Sequence, residues 1–258
     1  MDAASLFAVS GRVGLITGGT SGIGRMIATG LAAAGVKTYI CARSGEKCAS
    51  VAREIAAETG GQVTGIRADL ATVEGVQALA AAFGAEEPVL HILVNNAGTL
   101  CDAPLDEYPE EGWDSVLDLN LKSPFFLVQK QLPRLRAGAT ADRPATVINI
   151  GSVGALRVGP RETYAYAAAK AGLHYVTRSL AKRLGPENIT VNAIAPGFFE
   201  SEMTRITSEE MHRTLIGMVP RRRIGTPEDV AGAAIYLASR AGAYVTGSVI
   251  PVEGGMSI

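Results

Sequence analysis

Val13-Gly14-Leu15-Ile16-Thr17-Gly18-Gly19-Thr20-Ser21-Gly22-Ile23-Gly24 joins a short apolar run to a glycine-rich loop, and a segment of helical period follows it. In a doubly wound sheet, this strand–loop–helix order holds a pyrophosphate on the amino end of the first helix. Gly18 suits the tight turn, while Gly22 and Gly24 allow close approach of backbone to ligand and of helix to sheet. The spacing is G-x-x-x-G-x-G rather than the general G-x-G-x-x-G fingerprint, so the loop alone also fits a structural turn.

The strand–helix alternation that starts here continues along the whole chain. Apolar runs that read as strands lie at 13–17, 38–42, 63–67, 92–95, 146–151, 190–195 and 248–251. Segments of helical period lie at 24–34, 46–58, 72–83, 112–136, 163–184 and 227–238. The pattern predicts an α/β fold with a doubly wound, Rossmann-type parallel sheet of about seven strands, in a single domain over residues 1–258. The runs are apolar at nearly every position, as both faces of such a sheet are covered.

Composition excludes several classes of protein. The 258 residues are 47% hydrophobic and 19% charged, and 24 basic against 25 acidic residues give a net charge of −1. A nucleic-acid partner would require a basic excess, so none is expected. The three cysteines and three histidines are scattered and lack metal-ligand spacing, so no metal site is expected. The first residues lack a secretory pattern and no run is long enough to span a membrane, which predicts a cytoplasmic protein.

Tyr166-Ala167-Ala168-Ala169-Lys170 places a tyrosine and a lysine one helical turn apart on the same face. A tyrosine acting as an acid or base near neutral pH needs its pKa lowered by roughly 3 units, or about 4 kcal/mol. One ammonium about 4 Å away supplies energy of that order at an effective dielectric near 20. We therefore expect Lys170 to lower the pKa of Tyr166. The pair alone also fits an exposed tyrosine and lysine on an ordinary helix.

Three further polar positions lie where a parallel sheet places ligands. Ser152 follows the strand at 146–151, and because its context is not G-x-S-x-G, hydrogen bonding to a substrate carbonyl beside the tyrosine suits it better than nucleophilic attack. Asn95-Asn96-Ala97-Gly98 ends another strand, where small residues accommodate an adenine ribose or simply form a turn. Asn120 lies among leucines in a helical pattern, so its buried amide needs partners. It is either structural or binds a water near Lys170.

The end of the second strand, Ala42-Arg43-Ser44, indicates which dinucleotide is bound. NAD-preferring folds carry an acid here, which accepts hydrogen bonds from the ribose hydroxyls and repels a 2′-phosphate. Ala42 occupies that position, and Arg43 and Ser44 offer a guanidinium and a hydroxyl to a phosphate. These residues predict NADP(H). The alternative is that Arg43 is only a solvated residue at the edge of a loop.

These motifs, in this order, resemble the short-chain dehydrogenase/reductase family over essentially the whole chain. Two more elements complete the set, Asp69 after the third strand and Pro196-Gly197 after the sixth. The resemblance implies a Rossmann-type fold, a nicotinamide cofactor, a homotetramer, and the catalytic tetrad Asn120, Ser152, Tyr166 and Lys170. The predicted cofactor contacts are Gly18, Thr20, Ser21, Gly22, Ile23, Gly24, Arg43, Ser44, Asp69, Leu70, Asn96, Ala97, Gly98, Tyr166, Lys170, Pro196, Gly197, Phe199 and Ser201.

Within that family the loop Pro196-Gly197-Phe198-Phe199-Glu200-Ser201-Glu202-Met203-Thr204 is similar to P-G-F-I-E-T-D-M-T of bacterial 3-oxoacyl-(acyl-carrier-protein) reductases. Phe199 replaces an isoleucine, and Ser201 keeps the hydroxyl expected at the nicotinamide carboxamide. Ser21 stands where those reductases have a basic residue. The resemblance implies NADP(H)-dependent reduction of a small carbonyl compound or an acyl thioester. A sugar, polyol or other secondary-alcohol dehydrogenase and a non-catalytic cofactor-binding regulator are the alternatives.

Overall fold

The computed structural model describes residues 2–201 and 208–258, and within them it forms one parallel sheet of seven strands. The strands are β1 (Val13–Thr17), β2 (Lys37–Ala42), β3 (Val63–Arg67), β4 (Ile92–Asn95), β5 (Ala145–Ile150), β6 (Ile189–Pro196) and β7 (Val249–Val252). Their order across the sheet is β3-β2-β1-β4-β5-β6-β7. The predicted doubly wound sheet is confirmed.

The helices are α1 (Ala3–Phe7), α2 (Gly22–Ala33), α3 (Gly45–Thr59), α4 (Val73–Glu86), α5 (Glu110–Leu117), α6 (Ser123–Gly138), α7 (Tyr164–Leu184), α8 (Glu209–Gly217) and α9 (Pro227–Ala238). Helices α2, α3 and α9 contribute to the apolar core on one face of the sheet, and α4, α6 and α7 to that on the other. None of the helices in the described part of the chain is long and apolar enough to cross a membrane.

Both faces of the central strands are buried, which explains their continuous apolar sequence. Leu15 and Ile16 are neighbours in β1 and both are fully buried, yet they belong to the cores on opposite faces. This follows from the alternation of side chains along a strand. Helices therefore cover each central strand on both faces of the sheet.

The helix predicted at 112–136 is interrupted. Helix α5 ends at Leu117, a π-helical turn spans Asp118–Lys122, and α6 starts at Ser123. A π turn inserts one residue into a helix and is frequent at functional sites. Here the inserted turn contains Asn120.

The strand order reverses between β1 and β4, which are adjacent although β2 and β3 intervene in sequence. Open α/β sheets bind ligands at the carboxyl ends of the strands beside such a switch. The loops that follow β1, β4, β5 and β6 carry Gly18, Asn96, Ser152 and Gly197. Because all the strands are parallel, these loops lie along the same edge of the sheet.

Candidate active site

The glycine loop after β1 is held against the end of β4. The Asn96 side chain donates from Nδ2 to the carbonyl oxygens of Thr17 at 2.9 Å and Gly18 at 3.2 Å. Thr17 Oγ1 in turn accepts from the amides of Asn96 and Ala97, each at 2.9 Å. Asn96 therefore ties the ends of the neighbouring strands β1 and β4 together.

Two glycines of this loop have backbone conformations that other residues avoid, and a third has no room for a side chain. Gly18 has φ +63° and Gly22 has φ +51°, both in the left-handed region. A Cβ on Gly24 would lie 2.3 Å from the carbonyl oxygen of Gly18. Where α2 begins, these glycines leave the backbone amides of the loop unobstructed by side chains, as a pyrophosphate at a helix amino terminus requires.

A cavity of about 450 Å³ opens beside the loop, and three of its lining side chains are charged. Its lining consists of Thr20, Ser21, Gly22, Arg25, Lys47, Ser50, Val51 and Glu54. Arg25 pairs with Glu54 at 3.0 Å. Arg43 is exposed at the end of β2, and Ser44 accepts a hydrogen bond from the Lys47 amide as the N-cap of α3. Donors for an anionic ligand therefore surround this end of the sheet.

Sequence reasoning did not select Arg25 or Lys47. Each is a basic residue three positions after a predicted cofactor contact, Gly22 for Arg25 and Ser44 for Lys47, near the amino end of a helix. This spacing was the available signal in the sequence. Together with the bare glycine loop they fit a phosphorylated dinucleotide, for which residues 18–24 would hold the pyrophosphate. Ser201 lies over the same loop, because a Cβ on Gly22 would come within 3.0 Å of its Cβ.

Several other predicted contacts occupy different environments. The side chain of Leu70 is in the core with α4, and Phe199 is 3% exposed and packs into the opposite core. Leu70 can face a cofactor only through its backbone. Asp69 is exposed, and its carboxylate accepts from the amide of Ala71 at 3.1 Å. Glu202, Met203 and Thr204 of the quoted loop lie outside the described residues.

Tyr166, Lys170 and Ser152 come together where α7 begins. Tyr166 shares a hydrogen bond with the side chain of Ser152. Ser152 Oγ also accepts from the amide of Gly154 at 3.0 Å, which fixes its direction. Lys170 is 4% exposed and donates from Nζ to the carbonyl oxygen of Ile150 at 2.7 Å. The three side chains, distant in sequence, thus form one cluster.

The expected effect of Lys170 on Tyr166 is wrong for this arrangement. Burial raises the pKa of Tyr166, and the hydrogen bond with Ser152 only partly offsets it. Lys170 Nζ lies 5.5 Å from the centre of the Tyr166 ring and points to the Ile150 carbonyl, not to the phenol oxygen. Burial also lowers the pKa of Lys170 to about 8. At neutral pH, Tyr166 is a protonated acid beside an ammonium group.

Asn120 is fully buried, and half of its amide is committed to the backbone. Its Nδ2 donates to the carbonyl oxygens of Thr99 and Val116, each at 2.8 Å. Asn120 lies within the π turn, where the regular helical hydrogen-bond pattern is interrupted. Asn120 Oδ1 has no partner among the described residues and lies 2.5 Å from where a Cβ on Gly98 would be. A buried acceptor without a partner fits the binding of a water molecule.

His174, which sequence reasoning also missed, lies one turn beyond Lys170 and is 7% exposed. A Cβ on Gly151 would come within 2.0 Å of its Nε2, so the imidazole fills the space beside the residue before Ser152. Burial, followed by the charges of Lys170 and Arg178, lowers the pKa of His174 to about 4. The signal for it was a second i, i+4 step after the Tyr–Lys pair.

Known proteins are similar to this chain over nearly its whole length. A family model described as Enoyl-(Acyl carrier protein) reductase matches residues 18–257. The rhamnolipids biosynthesis 3-oxoacyl-(acyl-carrier-protein) reductase of Pseudomonas aeruginosa is 46% identical over 254 residues, which cover 98% of each chain.

Solved structures are similar over nearly their full length. The Pseudomonas aeruginosa RhlG/NADP active-site complex has a TM-score of 0.95 at 46% identity, with 98% of this chain and 99% of that chain covered. A gluconate 5-dehydrogenase from Burkholderia cenocepacia J2315, in complex with NADP and tartrate, has a TM-score of 0.90 at 33% identity, with 99% of each chain covered. With a family match over residues 18–257, close relatives and the clustered Ser152, Tyr166 and Lys170, this chain belongs to the short-chain dehydrogenase/reductase family.

Proposed function

We propose that this protein is an NADP(H)-dependent oxidoreductase that transfers hydride between the nicotinamide and a carbonyl or secondary alcohol. Among known activities it is most similar to 3-oxoacyl-(acyl-carrier-protein) reductase, the activity named for its 46% identical relative. One observation carries the proposal. The Tyr166 hydroxyl is hydrogen-bonded to Ser152, with Lys170 one turn away, at the edge of the sheet that also carries the glycine loop.

Each side chain of the cluster has a role that follows from its contacts. When bound, the cofactor supplies the hydride. Tyr166 donates a proton to the substrate oxygen during reduction and removes it during oxidation. Ser152 hydrogen-bonds the same oxygen and stabilises the charge that develops there. Lys170 places a positive charge beside the tyrosine ring, and Asn120 Oδ1 holds a water for the relay that returns a proton from solvent to Tyr166.

The protonation state of the cluster at neutral pH suits carbonyl reduction. Reduction requires a protonated Tyr166, and burial raises its pKa, so the acid form persists at neutral and moderately alkaline pH. Lys170, with a pKa of about 8, is protonated at neutral pH. Its ammonium lies 5.5 Å from the centre of the Tyr166 ring, so the cluster holds a positive charge there at neutral pH. The free enzyme thus holds Tyr166 in the protonated form that reduction requires.

For the substrate we propose an acyl thioester or another small carbonyl compound. The relative's name supports the thioester, while the gluconate 5-dehydrogenase likeness supports a sugar or polyol as the alternative. We expect NADPH oxidation with 3-oxoacyl thioesters at a kcat/KM at least tenfold above that with diketones, steroids or keto-sugars. Faster turnover of a keto-sugar would favour the alternative. No turnover of any carbonyl in the panel, with NADPH still bound, would favour a non-catalytic regulator.

We also propose a homotetramer, with α6 and α7 forming one contact between subunits. Tyr175 on α7 is 71% exposed and Phe125 on α6 is 40% exposed. Both side chains present apolar surface to solvent, which a subunit interface would bury. The alanine-rich segment 165–171 of α7 is only partly available for such a contact, because Ala165 and Ala169 pack inside the subunit. Light scattering at micromolar concentration is expected to give four times 26.8 kDa, about 107 kDa. A monomeric mass would contradict this proposal.

The proposed location is the cytoplasm. The thiols of Cys41, Cys48 and Cys101 are free, as a reducing compartment allows. Cell fractionation followed by immunoblotting measures the location directly, and recovery from an extracytoplasmic fraction would contradict it.

A further inference from the structure

The turn at residues 253–257, which follows β7, has a defined conformation. Gly254 and Gly255 have φ values of +68° and +91°, which other residues rarely adopt. Met256 is 5% exposed, so its side chain anchors the turn in the interior. The amide of Ser257 donates to Glu253 Oε2 at 2.9 Å, and the amide of Arg221 donates to the Gly254 carbonyl at 3.0 Å. The turn is therefore a fixed support rather than a loose tail.

This turn contacts two loops of the candidate active site. On one side, a Cβ on Gly197 would lie 2.8 Å from Glu253, so the loop after β6 packs directly on the turn. On the other side, Arg157 donates from a guanidinium nitrogen to the carbonyl oxygen of Met256 at 2.7 Å. Arg157 lies five residues after Ser152 in sequence.

Arg157 also closes the short helical turn that begins at Ser152. Its amide donates to the Val153 carbonyl at 3.0 Å, and the amide of Ala155 donates to the Ser152 carbonyl at 3.1 Å. Within this turn, the amide of Gly154 donates to Ser152 Oγ. A shift of Arg157 would therefore move the donor that aims Ser152 Oγ toward Tyr166.

The other half of the same loop is held by a separate set of contacts. Arg161 pairs with Asp102 at 2.7 Å, and Glu162 accepts from the amide of Leu105 at 2.9 Å. Between the turn at residues 153–155 and the contacts of Arg161 and Glu162, Leu156 is 41% exposed and Val158 is 96% exposed. The turn at Val153–Ala155 contacts α7 and β6, and the hydrogen bond from Arg157 to Met256 holds the residues that follow this turn.

We propose that Arg157 is a positioning residue, which uses the 253–257 turn as a support to hold Ser152 in hydrogen-bonding geometry with Tyr166. The proposal rests on the proposed function. It predicts an effect on the chemical step, because small displacements of catalytic groups reduce turnover strongly. It predicts little effect on cofactor binding, since Arg157 does not line the cavity beside the glycine loop.

The test compares Arg157→Met, Arg157→Lys and Arg161→Met. We expect Arg157→Met to lower kcat about tenfold, with the KM for NADPH changed less than about twofold. Arg157→Lys keeps a donor for the Met256 carbonyl and is expected to recover most of the kcat. Arg161→Met removes the exposed ion pair in the other half of the loop and is expected to retain a kcat near that of the unmodified protein.

Hydrogen exchange of the amides at residues 153–157 gives a readout that does not depend on activity. Arg157→Met is expected to accelerate exchange there at least about tenfold, while Arg161→Met does not. Unchanged exchange in Arg157→Met, or equal acceleration and kcat loss in both variants, would overturn the proposal. Accelerated exchange with unchanged kcat in an active enzyme would also overturn it. If exchange is accelerated in Arg157→Met but the unmodified protein reduces no carbonyl, the structural role of the Arg157–Met256 hydrogen bond is supported. Only the proposed function is then contradicted.

Discussion

Tyr166→Phe is expected to lower kcat for carbonyl reduction on the order of 1000-fold, because general acid catalysis contributes roughly 10²–10⁴-fold. The substitution keeps the ring, which packs against Val116, Ala165 and Ala169, so the subunit should fold normally. Only the hydroxyl that is hydrogen-bonded to Ser152 is lost. Steady-state rates with saturating NADPH measure the change in kcat, and fluorescence titration should show cofactor affinity within about threefold of the unmodified protein.

Tyr164→Phe provides a matched control two residues away on the same helix. Its hydroxyl donates to Glu162 at 2.7 Å, and the side chain is 39% exposed, so its hydrogen bond lies outside the candidate site. This variant is expected to retain a kcat near that of the unmodified protein. If Tyr166→Phe keeps more than about a tenth of the original kcat, which is about 1.4 kcal/mol of barrier, Tyr166 is not the proton donor.

The sheet could be predicted from the sequence because its signal is local and strong. Each central strand is buried on both faces, so apolar runs such as 13–17 and 92–95 mark strands directly. Helices α1 and α8 were missed because they contain no buried residues and so leave no apolar stripe. The π turn around Asn120 was missed because one inserted residue hardly changes the apolar period of a long helix.

The sequence could name candidate site residues, whereas the electrostatics of those residues could not be predicted from it. Asn120, Ser152, Tyr166 and Lys170 lie in motifs that a reader can recognise without coordinates. The pKa of Tyr166 depends instead on where the Lys170 ammonium points, and that is set by the Ile150 carbonyl on a strand 20 residues away in sequence. Arg25 and His174 likewise acquire meaning only through neighbours brought near by folding.

Cofactor preference provides the second large expected effect. The unmodified protein is expected to use NADPH with a higher kcat/KM than NADH. In the double variant Ala42→Asp, Arg43→Ala, the new carboxylate would repel a 2′-phosphate and accept hydrogen bonds from the ribose hydroxyls instead. Loss of one charge-assisted hydrogen bond costs roughly 1.5–3 kcal/mol, and the repulsion adds to it. We expect the ratio of the two kcat/KM values to shift toward NADH on the order of 100-fold.

The surroundings of these residues explain why the change should remain local. Ala42 ends β2 and is half-buried, while Arg43 beyond it is exposed, so the substitution leaves the apolar part of the strand intact. Arg25 and Lys47 remain at the neighbouring cavity and should preserve some NADPH binding. Ala42→Asn, with Arg43 retained, adds a side chain of similar volume without its charge. If that variant shifts the cofactor preference as far as the double variant, steric fit rather than charge decides the preference. Equal kcat/KM values for NADPH and NADH in the unmodified protein would contradict the assignment of Arg43 to the 2′-phosphate.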